Sequence, residues 1–225
     1  MTGIKPDFDI FATSLILFEI GLLPDIKSVG GKEYGFNLFF NNESKIILFN
    51  SMIELNKIIL DSLLKNKLNP YALPPTDFMS GNKPISNKIK EVEKISKSGL
   101  IPVTYGDALW FGQNKTYILS GDKIMTHFAK VLKPRLTIFA LNEDGLYSDF
   151  KSKKLISELK GDIPLMSENK MDVTGGMTRK VKEAIKISKM GMNVFFVNGK
   201  KPERIVTAVK NREFKGTMFR GKRNV

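Results

Sequence analysis

The stretch DVTGGMTRK (172–180) holds the residues best suited to chemistry. Gly175 and Gly176 lie just before an expected helix start, where backbone N–H groups can approach phosphate oxygens with no side chain in the way. Lys180, one turn into that helix, can bring a mobile positive charge to the same phosphates. The competing reading is a glycine entry to a helix followed by a surface lysine. In ILSGD (118–122), Asp122 is either a helix N-cap or a carboxylate that positions lysines or a magnesium ion around a phosphate. In YGD (105–107), Gly106 and the adjacent Asp107 either admit a substrate phosphate or form a turn. In NEDGLY (142–147), Asp144 and Gly145 have the composition of a turn, and Tyr147 either stacks on a base or packs in a core.

These segments need elements that bring them to one place. Met52, Leu55, Ile59 and Leu63 recur at helical spacing within 52–66. YALPP (71–75) reads as a short strand ended by prolines, 88–98 as an amphipathic helix stopped by Gly99, and LIPVTYG (100–106) as a strand ending in a glycine turn. A hairpin is expected over 108–121 with its turn at Gly112 to Asn114, then a helix over 122–132 with Ile124, Met125, Phe128, Ala129 and Leu132 on its apolar side. RLTIFAL (135–141) and NVFFV (193–197) are unbroken apolar runs, as in parallel strands buried on both faces. Helices are expected from Thr178 to Met190 and from Pro202 to Lys210. Alternating helices and strands with short connections imply a mostly parallel sheet covered by helices on both faces. Ligands of such sheets bind beyond the carboxyl ends of the strands, and the glycine- and acid-bearing segments come directly after the strands.

Composition narrows the chemistry further. With no cysteine among 225 residues there is no disulfide, thiolate metal site or cysteine nucleophile. The single histidine, His127, excludes a three-histidine metal site, and its place beside Phe128 on a core-forming helix reads as structural. A formal net charge of +13 favours anionic partners, or else reflects a lysine-rich surface. No nucleic-acid-binding module is recognisable, so no nucleic-acid partner is expected. There is neither a P-loop nor a dinucleotide fingerprint. The apolar run over 10–23 falls short of the about 20 residues a membrane span needs, contains Glu19 and follows Asp7 and Asp9. It reads as a buried helix, and the protein as soluble and cytoplasmic with no membrane partner.

In order along the chain, MIELN (52–56), LPP (73–75), GLIPVTYGD (99–107), ILSGDKIM (118–125), AKVLKP (129–134), IFALNEDGLY (138–147), DVTGGMTRK (172–180), VNGKKPERI (197–205) and KGTMF (215–219) resemble the amino acid kinase superfamily, and within it the archaeal-type isopentenyl phosphate kinases. The resemblance spans roughly the last three quarters of the chain. It implies a three-layer α/β/α sandwich with a mostly parallel central sheet. It also implies transfer of the γ-phosphoryl group of ATP, with Mg²⁺, to a phosphorylated small-molecule acceptor such as isopentenyl phosphate. Lys180 and Asp122 would then be catalytic, and Asp144, Gly145, Tyr147, Gly175, Gly176 and Lys180 would lie at the nucleotide. Gly106 and Asp107 would lie at the acceptor, with no protein metal ligands assigned and a homodimer as the assembly. Residues 1–98 would form the acceptor-binding and dimerisation half, and 99–225 the nucleotide-binding half. The N-terminal part departs from the family pattern. The K-x-G-G-S loop is missing, and in place of H-G-G-G-S-F-G-H stands SVGGKEYGF (28–36), with no histidine. Lys123 replaces the second aspartate of S-G-D-D. A nucleotide-binding paralogue without transfer activity is the alternative reading.

Overall fold

A computed structural model describes residues 10–12, 42–110, 116–149, 151–159, 175–210 and 215–221. In chain order its elements are strand β1 (Ile10–Ala12), helix α1 (Asn42–Lys65) and strands β2 (Pro70–Ala72), β3 (Met79–Ser80) and β4 (Lys83–Pro84). Helix α2 (Ser86–Lys97), strands β5 (Ile101–Val103), β6 (Asp107–Trp110) and β7 (Thr116–Leu119) and helix α3 (Gly121–Leu132) come next. The remaining elements are β8 (Leu136–Leu141), β9 (Tyr147–Asp149), β10 (Lys154–Leu155), β11 (Glu158–Leu159), helix α4 (Gly175–Lys189), β12 (Asn193–Asn198), helix α5 (Pro202–Val209) and β13 (Gly216–Phe219). The chain divides into two compact units, with the break between Leu132 and Lys133 and β1 belonging to the second.

In the first unit, β2 pairs in parallel with β5, and β6 pairs antiparallel with β7 as the expected hairpin, whose turn lies outside the described residues. A 3₁₀ turn over Pro75–Asp77 succeeds β2, where the prolines end the strand. Helix α3 buries Ile124, Met125, Phe128 and Ala129, the side read from its periodicity, and the Phe128 ring meets Phe78 edge-on at 5.0 Å. Helix α2 turns Ile89 and Val92 inward.

The second unit is built on a five-stranded sheet in the order β1-β8-β12-β13-β11. Within it, only the β12–β13 pairing is antiparallel. All six residues of β8 are buried, and so are five of the six in β12. Alternation along the strands separates two cores. On one face Leu136, Ile138, Phe195 and Val197 pack with Ala208 of α5, joined by Ile205, Val209 and Met218. On the other, the Phe196 ring lies 5.3 Å from Phe139 and 4.8 Å from Phe219. Helix α4 packs on β12 and β13 and buries Val181, Ala184 and Ile187, so helices cover both faces.

Two expectations need correction. The apolar run from residue 10 opens as a strand rather than a helix: Ile10, Phe11 and Ala12 pair in parallel with Leu136, Thr137 and Ile138. The edge of β8 presents unpaired backbone donors and acceptors, and the apolar segment satisfies them by pairing as a strand. The remainder of that run, from residue 13, lies outside the described residues. Helix α4 begins at Gly175 rather than Thr178, so both glycines belong to its first turn instead of preceding it. Among the described residues no helix is long and apolar enough to cross a membrane.

Phe196 is fully buried between two other rings. Phe196→Ala is expected to lower stability by about 3–5 kcal/mol, read as a fall in the urea midpoint with an unchanged slope.

Candidate functional site

In the first unit the residues of interest gather where β5, β6, β7 and α3 meet. Gly106 lies so close to the next crossover that a Cβ there would stand 2.8 Å from the Leu119 carbonyl oxygen and 3.1 Å from the Gly121 nitrogen. Backbone packing alone therefore requires glycine at 106, beyond the turn or the phosphate access read from the sequence. Asp107 is 4% exposed, and its Oδ1 accepts a hydrogen bond from the Ala108 N–H at 2.7 Å. Burial raises its carboxyl above the ordinary value, against the pull of that hydrogen bond. Burial also raises the neighbouring Tyr105 phenol, aided by the negative charges of Asp107 and Asp77.

Asp122 is not the N-cap of α3. The helix starts at Gly121, and the Ser120 carbonyl accepts the N–H groups of Lys123 and Ile124 at 3.0 and 3.1 Å, which leaves Asp122 inside the first turn. There its negative charge is favoured by the helix dipole, and its side chain is 3% exposed. Lys123 comes next, with Nζ 3.0 Å from the Tyr117 hydroxyl and 5.0 Å from the ring centroid.

In the second unit the site is the carboxyl end of two parallel strands. β8 and β12 run in register and finish together at Leu141 and Asn198. The Gly199 N–H donates to the Leu141 carbonyl at 2.8 Å, which ties the two strand ends directly. Asp144 then joins four segments. Its Oδ1 accepts the Asn198 side-chain amide at 2.9 Å and the Arg204 guanidinium, and its Oδ2 lies 2.8 Å from the Lys215 ammonium. Burial by itself would raise this carboxyl. Hydrogen bonds from Lys215, Asn198 and Arg204, with the charge of Arg204, override burial and hold it well below the usual carboxylate range. Asp144 therefore ties together the loop after β8, the end of β12, helix α5 and the start of β13, a joint that its local turn composition does not reveal.

Gly145 has φ of +151°, and a Cβ there would fall 2.6 Å from the Thr217 hydroxyl, so both backbone and space require glycine. Thr217, fully buried, accepts the Leu146 N–H at 2.8 Å and donates to the Ile156 carbonyl at 2.6 Å. Sequence reasoning passes over Thr217, Arg204 and Lys215 as individual residues, although each lies in a segment that carries the resemblance. Tyr147 is buried in β9. Lys180 is 3% exposed on α4, and Gly175 and Gly176 form the first residues of that helix, where N–H groups have no intrahelical acceptor. The structure thus groups Gly106, Asp107 and Asp122 in the first unit. Asp144, Gly145, Tyr147, Gly175, Gly176 and Lys180 fall in the second.

Among the described residues no three His, Asp or Glu side chains cluster to hold a metal ion.

A family model described as the amino acid kinase family matches residues 16–198. The isopentenyl phosphate kinase of Thermoplasma acidophilum is 29% identical over 179 residues, covering 77% of this chain and 71% of that protein. The isopentenyl phosphate kinase of Methanocaldococcus jannaschii is 30% identical over 183 residues, covering 79% and 68%. A crystal structure of an isopentenyl phosphate kinase substrate complex superposes with a TM-score of 0.63 at 22% identity, over 94% of this chain and 82% of that one, a likeness of fold.

The depressed carboxyl of Asp144 carries a signed prediction. A folded-state value below the unfolded one contributes stability above the unfolded value, and that contribution is lost as pH falls through the folded value. Asp144→Asn should therefore cost about 1–3 kcal/mol at neutral pH, with the gap to the wild type narrowing below about pH 4. Urea unfolding of both proteins across that range checks it.

Proposed function

Since the chain belongs to the amino acid kinase family, we propose that it is a kinase of the isopentenyl phosphate kinase type. It moves the γ-phosphoryl group of ATP to a phosphorylated small-molecule acceptor, with isopentenyl phosphate the first candidate. An oxygen of the acceptor phosphate forms a bond to the γ-phosphorus as the bond from that phosphorus to the bridging oxygen breaks, and ADP leaves with the electron pair. No covalent enzyme intermediate is needed, so the work of the protein is positioning and charge neutralisation.

The observation that carries the reading is the organised carboxyl end of β8 and β12. The Asp144 node holds Gly145, Asn198 and Arg204 together at the place where open α/β sheets bind ligands, beside Lys200 and Lys201. Asp144 is engaged by its own chain, so its proposed part is to fix the nucleotide-binding loops rather than to hold the nucleotide itself. Gly175 and Gly176 would offer the open N–H groups of α4 to the phosphates, and Lys180 would neutralise charge on them. In the first unit Asp122 would orient the charged groups at the point of transfer, and Gly106 and Asp107 would lie at the acceptor. Magnesium bound with ATP would draw charge from the phosphate oxygens. The proposed setting is the cytoplasm, and the proposed assembly a homodimer.

A second reading, nucleotide binding without transfer, draws on the sequence alone, which has no K-x-G-G-S loop. ADP release from Mg-ATP, with and without isopentenyl phosphate, separates the two. Acceptor-dependent release is expected, reduced by about 10²–10³ in Lys180→Ala, the scale of losing one preorganised charge-stabilising group. ATP that raises the melting temperature while no acceptor is consumed would replace the kinase reading with the binding one.

A further inference from the structure

The opposite end of the same sheet has a cavity that the proposed kinase reaction does not use. β8 and β12 start side by side, with Leu136 beside Asn193, and antiparallel β13 ends there, with Phe219 beside Val194. The residues flanking those three ends line a cleft of about 680 Å³, within the usual range for small-molecule sites. Asp144 and the loops it joins lie at the other ends of β8 and β12.

The charged side chains named in the lining are all basic. Lys133, Arg135 and Arg220 come from two separate segments, and among the described residues no carboxylate lines the cleft. Arg220 is held by its ion pair with Glu158, which fixes the guanidinium in place but leaves its side chain 55% exposed. Lys133 is exposed. Asn193 accepts the Gly221 N–H on Oδ1 at 3.0 Å, which leaves its amide N–H groups as further donors. A Cβ on Gly221 would lie 2.5 Å from the Gly191 carbonyl, so two of the lining segments meet backbone to backbone. Pro134, Met190 and the mostly buried Met192 supply an apolar wall.

We propose that this cleft binds a small phosphate monoester carrying a compact apolar group, at a site separate from that of phosphoryl transfer. A monoester phosphate presents three terminal oxygens and nearly two negative charges, which match several cationic and amide donors better than the two oxygens and single charge of a carboxylate. The apolar substituent lies against flexible, polarisable methionine side chains.

The test uses the full chain labelled with ¹³C at its methionine methyls, with Met190 and Met192 assigned by Met190→Leu and Met192→Leu, and phenyl phosphate as the probe. Saturable shifts of the Met190 and Met192 methyls are expected. Benzoate at matched ionic strength should shift them weakly and without saturation. The double variant Lys133→Asn with Arg135→Gln should weaken phenyl phosphate binding by about five- to tenfold, as for loss of two exposed charge contacts. Asparagine tolerates the left-handed backbone at 133, where φ is +48°. Methyls elsewhere, such as Met79 and Met125, show that the variant is folded. If they move, Lys133→Asn alone serves, with a smaller loss of affinity expected. Absence of saturation at Met190 and Met192, equal response to benzoate, or unchanged affinity in the variants would each overturn the proposal. None of these readouts needs the kinase reaction, so the two proposals fail separately.

Discussion

The parallel pairing of β8 with β12 is the constraint on which the second unit depends. Six consecutive residues of each strand face one another in register, from Leu136 beside Asn193 to Leu141 beside Asn198. Because nearly every one of these residues is buried, a slip by one position would exchange the two cores. Phe195 and Val197 would turn away from α5, and Phe196 would leave Phe139 and Phe219. The register therefore has a high cost of error, and it fixes where every loop at either strand end begins. The loops that leave the strands at one end, and those that enter them at the other, inherit that accuracy.

The loops at the carboxyl end still have to be joined, and apolar packing cannot do it so close to solvent. A carboxylate with three donors does. Asp144 has little exposed surface, and such a group is stable only when its charge is matched by hydrogen-bonded partners. Removing any one partner leaves part of that charge unmatched, so the four segments are coupled more tightly than their sequence separation suggests. Thr217 has the same role in neutral form: its hydroxyl satisfies one donor and one acceptor that the sheet ladder leaves over. Both devices require glycine beside them, since Gly145 must pass within contact distance of Thr217.

The elements are largely legible in the sequence and their joints are not. The unbroken apolar runs of β8 and β12, the helical spacing of α3, and Pro202 at the start of α5 are local signals, and each of these elements forms within a few residues of its expected place, whereas α1 reaches back to Asn42, well before the expected 52–66. Asp144 reads as a turn residue because its partners lie 54, 60 and 71 positions away, and no local pattern marks such a pairing. Asp122 reads as an N-cap because an acid before a helix is usually one. The helix instead starts one residue earlier, at Gly121, whose nitrogen lies close against Gly106. The boundary moves at α4 as well, where Gly175 and Gly176 fall in the first turn, whose N–H groups have no intrahelical acceptor.

β1 separates the demands of folding from those of chemistry. The edge of β8 requires a partner for its backbone groups, and a parallel ladder supplies one through main-chain atoms alone. Almost any β-compatible sequence meets that need, so Ile10–Ala12 can keep the sheet covered while the residues after it diverge from the K-x-G-G-S pattern. Phosphate chemistry has no such tolerance, because it needs particular donors at particular distances. A chain can therefore keep such a scaffold through backbone pairing and apolar volume while the residues beyond the strand ends differ.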